Sequence, residues 1–389
     1  MRGSIRKRGS TWSIVYLEPL DPKTGKRRQR WKGGFKTRAE ATCALDDIVS
    51  RQRNGTYITP SNVTVAEFLT EEWLPAIAAS VRPSTRLSYA GNVRLHVIPS
   101  IGSMTLQALQ PSRVNRLYAQ LLAPTDKGGK GLSPKTVRNV HAVLRKALGD
   151  AERWGLVPRN VIDLAEQPKA RGLTHEHATW TPSELHMFLR STENQRLRGL
   201  WRLAAMTGMR RGEVLGLRWH DLDLDVKQLS VRQTLISVSY KIEFSAPKTP
   251  RSRRTIPLDA ETVTSLRRHR ADQAKERLAA GDMYQDRDLV FAHTDGSPIH
   301  PDSVTGEFKR LLQRAGLPKI RLHDLRHTYA TMSLQARVPS KVVSELLGHS
   351  TVAFTEDVYT HAIPALQEEA VNLVARLVAG AEASSGTVR

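Results

Sequence analysis

The apolar positions of the chain follow two periods, which separate a short strand-containing segment from longer helical ones. Within residues 1–58, the apolar run 12–17 predicts a strand, and residues 27–31 predict a returning strand after a polar turn. Thr37 and Glu40 have the spacing of a capping box, and apolar residues then recur at helical spacing: Ala41, Ala44, Leu45 and Ile48. The pattern therefore predicts a small β-plus-helix domain over residues 1–58.

The period is helical throughout residues 64–163, after a short linker around Pro60. Thr64 and Glu67 form a second capping box, and three prolines occupy the first position of further helices: Pro83, Pro111 and Pro134. The apolar positions of these helices include Phe68, Trp73, Leu87, Val93, Val97, Val114, Leu117, Val137, Val140 and Leu144. An all-α domain is predicted here.

A third domain is predicted for residues 176–389, behind a linker without apolar period at 164–180. Thr181 and Glu184 form its first capping box, and an apolar helix ends at Gly208. Strands are predicted at 228–235, 241–244 and 253–257, and a C-terminal helix with an apolar stripe is predicted after Pro364. This domain is thus expected to be mostly α-helical with a small antiparallel sheet, so the whole chain is multidomain α+β.

Charge narrows the range of partners. The 389 residues carry a formal net charge of +21, and the pI is about 10.4, which favours a polyanion such as nucleic acid. No long apolar run indicates a membrane segment. The N-terminal domain is especially basic and has aromatic residues among its charges: Trp12, Tyr16 and Trp31. The single Cys43 suits a reducing cytoplasm, where we expect the protein to act.

The candidate chemistry lies between residues 322 and 359. His323 and Arg326 are three residues apart and share a helix face. A second histidine, His349, follows Gly348, and Tyr359 comes ten residues later. Guanidinium and imidazole groups beside a phenol suit a phosphate diester, because the donors hold the oxygens while the phenol attacks phosphorus.

These motifs resemble the C-terminal signature of tyrosine recombinases of the phage integrase family, which reads His-x-x-Arg, Leu-Gly-His and then the nucleophilic tyrosine. The stretch from Thr207 to Leu217 resembles the first box of the family. The resemblance implies six catalytic residues, supported by Glu213 beside the first arginine: Arg210, Lys248, His323, Arg326, His349 and Tyr359. Lys248 is implied by the strand that follows it, Arg254-Thr255-Ile256-Pro257.

The resemblance also implies a reaction and partners. Tyr359 would form a 3′-phosphotyrosine with double-stranded DNA, and no metal, nucleotide or other cofactor is expected. Residues 1–58 resemble an arm-site-binding domain, and residues 64–163 resemble a core-binding domain. The family implies a homotetramer on DNA, and an excision protein and a DNA-bending host factor are plausible partners in a bacterial host cell. The fold implied is the tyrosine recombinase fold.

Three other functions compete with a recombinase. A type IB topoisomerase shares the chemistry, but two preceding DNA-binding domains favour an integrase. A DNA-binding regulator with an inactive site is disfavoured, because all six catalytic positions hold the expected residue types. His323 and Asp324 also read as the His-Asp pair of a metal phosphohydrolase, although no convincing set of further ligands precedes them.

Overall fold

The computed structural model describes residues 3–19, 25–124, 130–169, 178–247 and 253–348, together with Ala375. The chain divides into two compact units, residues 1–173 and 174–389. The first contains a small sheet with one helix and then an all-α region; the second is mostly helical with short antiparallel strands. The predicted multidomain α+β class is confirmed.

The N-terminal sheet has one more strand than the sequence predicted. Its antiparallel order is β1-β2-β3, with β1 at Ser4–Arg8, β2 at Thr11–Leu17 and β3 at Gln29–Phe35, and α1 follows at Arg38–Arg53. The sequence did not predict β1 because Ile5 is its only apolar residue, and its strand conformation rests on pairing with β2.

One face of this sheet packs on α1 through Ile14, Ala41 and Leu45. Tyr16 belongs to this core, where it is 6% exposed and its ring lies edge-on to Tyr57. Its expected place among the surface aromatics is therefore wrong, because the inward positions of β2 face the helix. Trp31 is 46% exposed, as expected.

The capping box predicted at Thr37 is half present. Thr37 accepts from the backbone N–H of Glu40, at 3.2 Å, but the Glu40 carboxylate accepts from the N–H of Lys36. The carboxylate thus accepts from the backbone N–H one residue before the N-cap, instead of from the N–H of the N-cap itself.

The all-α region is a bundle of short helices closed by one long one. Its α-helices are α2 at Val65–Glu67, α3 at Leu74–Ala76, α4 at Pro83–Asn92, α5 at Ile98–Ile101, α6 at Pro111–Leu122 and α7 at Pro134–Arg153. Wider π turns at Phe68–Trp73 and Val93–Val97 and 3₁₀ turns at Leu106–Ala108 and Val161–Leu164 complete it. The capping box at Thr64 and the three helix-initiating prolines are present.

The core of this bundle contains most of the predicted apolar positions. Leu87 is an exception: it is 40% exposed, so its expected place in the core is wrong. The buried Trp73 donates its indole N–H to Asp150 at 2.8 Å, and Asp150 also binds Lys146 and Arg153. This arrangement satisfies a buried carboxylate.

The second unit surrounds an aromatic core. Its helices are α8 at Pro182–Ser191, α9 at Arg198–Thr207, α10 at Arg211–Leu215, α11 at Ala260–Ala280, α12 at Pro301–Ala315, α13 at Asp324–Gln335 and α14 at Ser340–Leu347. Trp180, Phe188, Trp201 and Phe308 contact one another in the core. The Trp180 backbone N–H also donates to Thr328 Oγ1 of α13 at 3.2 Å, which joins the start of this unit to the helix behind His323.

The strands of this unit form two sheets. β4 at Leu222–Asp223, β5 at Gln228–Ser230 and β8 at Thr255–Pro257 make a three-stranded sheet, while β6 at Thr234–Val238 pairs with β7 at Lys241–Ser245. The single strand predicted at 228–235 is therefore wrong. It breaks at residues 231–233, and its two ends pair with different partners: β5 with β8, and β6 with β7.

No helix within the described ranges is long and apolar enough to cross a membrane. Within the same ranges, no group of three or more histidine, cysteine, aspartate or glutamate side chains could hold a metal ion. The predictions at Lys248, His349 and Tyr359, and the helix after Pro364, lie outside the described residues.

Candidate active site

The first motif begins where α9 ends. Gly208 is the C-cap of this helix and has a left-handed backbone with φ of +59°. A Cβ there would lie 2.6 Å from Leu347 Cδ2 and 2.9 Å from the ring of Tyr329, so only glycine fits. The close approach brings the first motif against α13 and the end of α14.

Arg210 stands at the N-cap of α10, two residues after that turn. Its Nη1 donates to Glu213 Oε1 at 2.8 Å, and its backbone N–H donates to Glu213 Oε2 at 3.0 Å. The Arg210 side chain is 39% exposed, whereas Glu213 is 4% exposed. The buried carboxylate therefore orients a guanidinium that solvent, or a phosphate, can still reach.

Arg326 lies in the first turn of α13, opposite Gly208. Its Nη1 donates to the Gly208 carbonyl oxygen at 2.8 Å. Arg326 is 3% exposed, so a phosphate can reach it only when surrounding groups move. The bond nevertheless joins the His-x-x-Arg motif directly to the turn that precedes Arg210.

His323 is the N-cap of α13, and its side chain lies at the surface beside Arg326. Partial desolvation and then the Arg326 charge lower the pKa of His323 below its ordinary value. The buried His327 ring lies edge-on to the His323 ring, with centroids 5.3 Å apart. His327 thus packs against the ring of His323.

Asp324 does not extend this site. Its carboxylate accepts from Arg321 Nη2 at 2.7 Å and from the Arg321 backbone N–H at 2.7 Å. Burial opposes ionisation, but the Arg321 hydrogen bonds and charge hold the pKa of Asp324 below its ordinary value. Because both oxygens are committed to Arg321, the geometry does not favour the metal-binding His-Asp pair.

The first two residues of the Leu-Gly-His motif, Leu347 and Gly348, lie at the C-terminal end of α14. Gly348 ends this helix with a left-handed φ of +67°. The last carbonyls of a helix have no partner within the helix, and two arginines bind them here. Arg254 Nε donates to Leu346 O at 2.6 Å, and Arg210 Nη2 donates to Gly348 O at 3.2 Å.

The structure therefore brings together four of the seven predicted site residues: Arg210, Glu213, His323 and Arg326. Lys248, His349 and Tyr359 lie outside the described residues, and their places in the site stay predictions. The described motifs nevertheless form one connected set, since Arg210 bonds the residue before His349 and Arg326 bonds the turn before Arg210.

Sequence reasoning missed Arg254 as part of this set. The residue was used only to recognise the strand after Lys248, yet it bonds both Glu213 and α14. Its position two residues before the buried Ile256 of β8 was a usable signal, because in-facing positions alternate along a strand. A run of arginines in a basic chain hides such a signal.

A second candidate surface is the sheet face turned away from α1. Arg6 and Arg8 of β1 lie over the Trp31 ring, with guanidinium carbons 5.1 Å and 5.3 Å from its centroid. Cations stacked on an exposed indole keep their charge at the surface in fixed positions. This face can hold phosphates with its charges and contact a sugar or base with its ring.

Comparison with known proteins supports both surfaces. The sequence model of the phage integrase family matches residues 180–365, that of an arm DNA-binding domain matches residues 4–51, and that of the N-terminal SAM-like domain of phage integrases matches residues 64–122. The catalytic match spans every motif described above.

Two relatives are similar over most of their length. A XerC-like tyrosine recombinase of Caldanaerobacter subterraneus subsp. tengcongensis is 30% identical over 354 residues, covering 86% of this chain and 89% of the relative. An integrase of Streptomyces ambofaciens is 30% identical over 369 residues and covers 92% of each chain.

Solved structures show the same fold. The Tn1549 transposon integrase in complex with transposon right-end DNA has a TM-score of 0.65 at 22% identity and covers 79% of this chain and 99% of its own. A lambda integrase tetramer bound to a Holliday junction has a TM-score of 0.55 at 18% identity, with 90% of this chain and 96% of its own covered.

The fold and the connected motifs define a DNA strand-exchange enzyme of the tyrosine type. The chain belongs to the phage integrase family of tyrosine recombinases. It is a DNA-binding, site-specific recombinase that cleaves and rejoins strands through a tyrosine intermediate, the activity by which integrases insert mobile elements.

Proposed function

We propose that this recombinase inserts or excises a mobile element with Tyr359 as its nucleophile. The phenolic oxygen attacks the scissile phosphorus, the bond from phosphorus to the 5′-oxygen breaks, and a 3′-phosphotyrosine and a free 5′-hydroxyl result. The ester retains the energy of the broken bond, so a second 5′-hydroxyl can reverse the step without ATP.

The phosphate is held by two arginines and a histidine in this proposal. Arg210 and Arg326 bind non-bridging oxygens, and His349 donates to one of them. Donors of this kind stabilise charge that develops in the transition state, and each is worth on the order of 3 kcal/mol. The exposed part of the Arg210 side chain supports its role as the first of these contacts.

Two proton transfers complete the proposed step. A phenol has a pKa near 10, so attack at neutral pH needs a base. His323 takes the tyrosine proton, and its lowered pKa keeps the imidazole neutral and able to do so. Lys248 gives a proton to the leaving 5′-oxygen.

One observation carries the proposal: an arginine side chain of one motif donates a hydrogen bond to the backbone of another motif, and this occurs twice. Arg326 bonds Gly208, and Arg210 bonds Gly348. Both place cations around the short segment that leads into His349.

The proposed activity is tested with a suicide substrate, a nicked duplex from which the cleaved end diffuses away. A covalent protein–DNA adduct is expected, followed by strand exchange between two defined sites. Adduct and relaxation of supercoils without exchange between two sites would favour a topoisomerase. Specific binding without any adduct would favour an inactive DNA-binding regulator and contradict the proposal.

A pH profile tests the role of His323. Single-turnover cleavage at saturating DNA should be constant near neutral pH and fall only below pH 6.5, the ordinary histidine value, because the folded pKa is lowered. The free energy of unfolding should also decrease below pH 6.5. The folded protein binds a proton at His323 less readily than the unfolded chain does, so protonation favours unfolding there.

The matched variants for this profile are His323→Gln and His220→Gln. His323→Gln should slow cleavage roughly 100-fold, the low end for general base catalysis, and lose the acid limb. His220 is a surface histidine of the same unit that pairs with Asp288, and its replacement should change nothing. An acid limb that persists unchanged in His323→Gln would assign the base to another group.

We further propose that residues 1–58 bind arm sites separate from the core site held by residues 64–163 and 176–389. The exposed Arg6–Trp31–Arg8 stack and the separate apolar core of the module support this division. We also propose a homotetramer on two duplexes in the bacterial cytoplasm, assisted by an excision protein and a DNA-bending host factor.

A protein lacking residues 1–58 should keep core-site affinity and lose arm-site binding. The deletion removes the bond from Arg30 to Pro60 O but leaves residues 59–61 attached to Gln107, which bonds Thr59 O at 2.9 Å and the Ser61 N–H at 3.2 Å. Gel shifts with separate core and arm duplexes measure both. Loss of core-site binding would instead make this module part of the core clamp.

A further inference from the structure

Arg254 is the buried centre of the motif network. It immediately precedes β8, and its side chain is 6% exposed. The guanidinium points towards Glu213 and the end of α14. Its donors are directed at these internal partners, whereas the Arg210 side chain, with the same charge, is 39% exposed.

The contacts of Arg254 reach two motifs at once. Nη2 donates to Glu213 Oε2 at 2.9 Å and Nη1 to Oε1 at 3.3 Å, while Nε donates to Leu346 O at 2.6 Å. The planar guanidinium presents these donors in a fixed arrangement, which a lysine cannot reproduce. Arg254 therefore fixes the direction of Glu213 relative to the end of α14.

Glu213 passes this constraint to Arg210. Its Oε1 accepts from both Arg254 and Arg210, so one carboxylate oxygen lies between the two guanidinium groups. Burial opposes ionisation of Glu213, but the hydrogen bond and charge of Arg254, with the charge of Arg210, hold its pKa below the ordinary value. The carboxylate is therefore charged at neutral pH and attracts both arginines.

Removal of Arg254 would leave two acceptors, the buried Glu213 carboxylate and the Leu346 carbonyl, without this partner. Glu213 would keep Arg210 as its principal cation, and Leu346 O would lose a charged donor at the negative end of a helix. Arg210 would then be free to turn further towards Glu213 and away from Gly348 O. A displacement of about 1 Å at a reacting group can cost 100-fold in rate.

We propose that Arg254 is a positioning residue for strand cleavage, which holds Arg210 and the end of α14 in the relation that DNA cleavage requires. The proposal rests on the function assigned above to Arg210 and adds a residue that touches no substrate. It also gives the strand after Lys248 a second function, since the same short connection carries both the lysine and the residue that joins the other motifs.

The test compares Arg254→Gln and Arg254→Lys with two controls. Arg253→Gln removes the neighbouring, exposed charge from the same connection. Arg196→Gln removes a bidentate pair with Glu276, at 2.6 Å and 2.7 Å, elsewhere in the same unit. Gel shifts give the core-site Kd, thermal melting reports folding, and the suicide substrate gives the single-turnover cleavage rate.

Arg254→Gln should cleave on the order of 100-fold more slowly, with the core-site Kd changed by no more than about twofold. Arg254→Lys keeps the charge but not the fixed arrangement of donors, and it should cleave roughly tenfold more slowly. Both controls should cleave at close to the rate of the unchanged protein. Where Arg254→Gln fails to fold, Arg254→Lys carries the same test.

A substrate with a methylphosphonate at the scissile position distinguishes a misplaced Arg210 from a general loosening of the folded protein. It removes one negative charge, so cleavage depends less on a correctly placed Arg210, and the deficit of Arg254→Gln should shrink at least several-fold. Equal deficits on both substrates, or a rate in Arg254→Lys equal to that of the unchanged protein, would overturn the proposal. Failure of the unchanged protein to cleave would instead overturn the proposed function.

Discussion

Tyr359→Phe should abolish the covalent DNA adduct while leaving core-site affinity within about twofold of the unchanged protein. The substitution removes one oxygen atom and no charge, and phosphate contacts supply most of the affinity for DNA. The expected loss of cleavage is complete, because no other group in the proposed site replaces the nucleophile. Gel shifts and denaturing gels with the suicide substrate measure the two effects separately.

Tyr240→Phe is the matched control, since Tyr240 is a tyrosine of the same unit that is 89% exposed. It loses the same atom and should cleave normally. A Tyr359→Phe protein that still forms the adduct would remove Tyr359 from the reaction. Another tyrosine would then have to be sought as the nucleophile.

Lys248→Ala should have the second largest effect, and the effect should depend on the leaving group. A missing general acid costs on the order of 100- to 10,000-fold on ordinary DNA. In a 5′-phosphorothiolate substrate the leaving group is a thiolate, which needs no proton. On this substrate the variant should therefore cleave only a few-fold more slowly than the unchanged protein. Single-turnover cleavage on the two substrates gives both numbers.

Lys241→Ala controls for loss of charge, because Lys241 is an exposed lysine at the start of β7 in the same strand region. It should cleave both substrates at nearly the normal rate. Equal slowing of Lys248→Ala on both substrates would reassign Lys248 from proton donor to phosphate contact.

Local signals in the sequence predicted the helices well because they rest on neighbouring residues. The capping boxes at Thr64 and Thr181 are both complete in the structure, and Pro83, Pro111 and Pro134 each begin a helix. A hydroxyl and a carboxylate three residues apart satisfy the helix end without help from the rest of the fold.

The strands were harder to predict because their pairing is not local. Residues 228–235 look like one strand, yet β5 pairs with β8 and β6 pairs with β7. β1 contains too few apolar residues to be recognised and owes its conformation to β2. Tyr16 was grouped with the basic residues although it packs in the core between sheet and helix, because the sequence does not show which face of the sheet α1 covers.

The site shows the same division between local and distant information. Motif spacing placed His323 beside Arg326, and the lowered pKa of His323 agrees with that proximity. Motif spacing also paired Arg210 with Glu213, whose contact at 2.8 Å is present. It could not reveal Arg254, because the bonds of Arg254 reach residues 41 and 92 positions away in the chain.

The role of Tyr359 as the nucleophile is tested most directly by locating the bond between protein and DNA. The unchanged protein is incubated with the suicide substrate in chelator and without nucleotide, the adduct is digested, and mass spectrometry identifies the peptide that carries the 3′-phosphate. We expect a single modified residue, Tyr359, and an adduct formed at full yield under these conditions. An adduct on another residue, or one that forms only when magnesium is restored, would contradict this expectation.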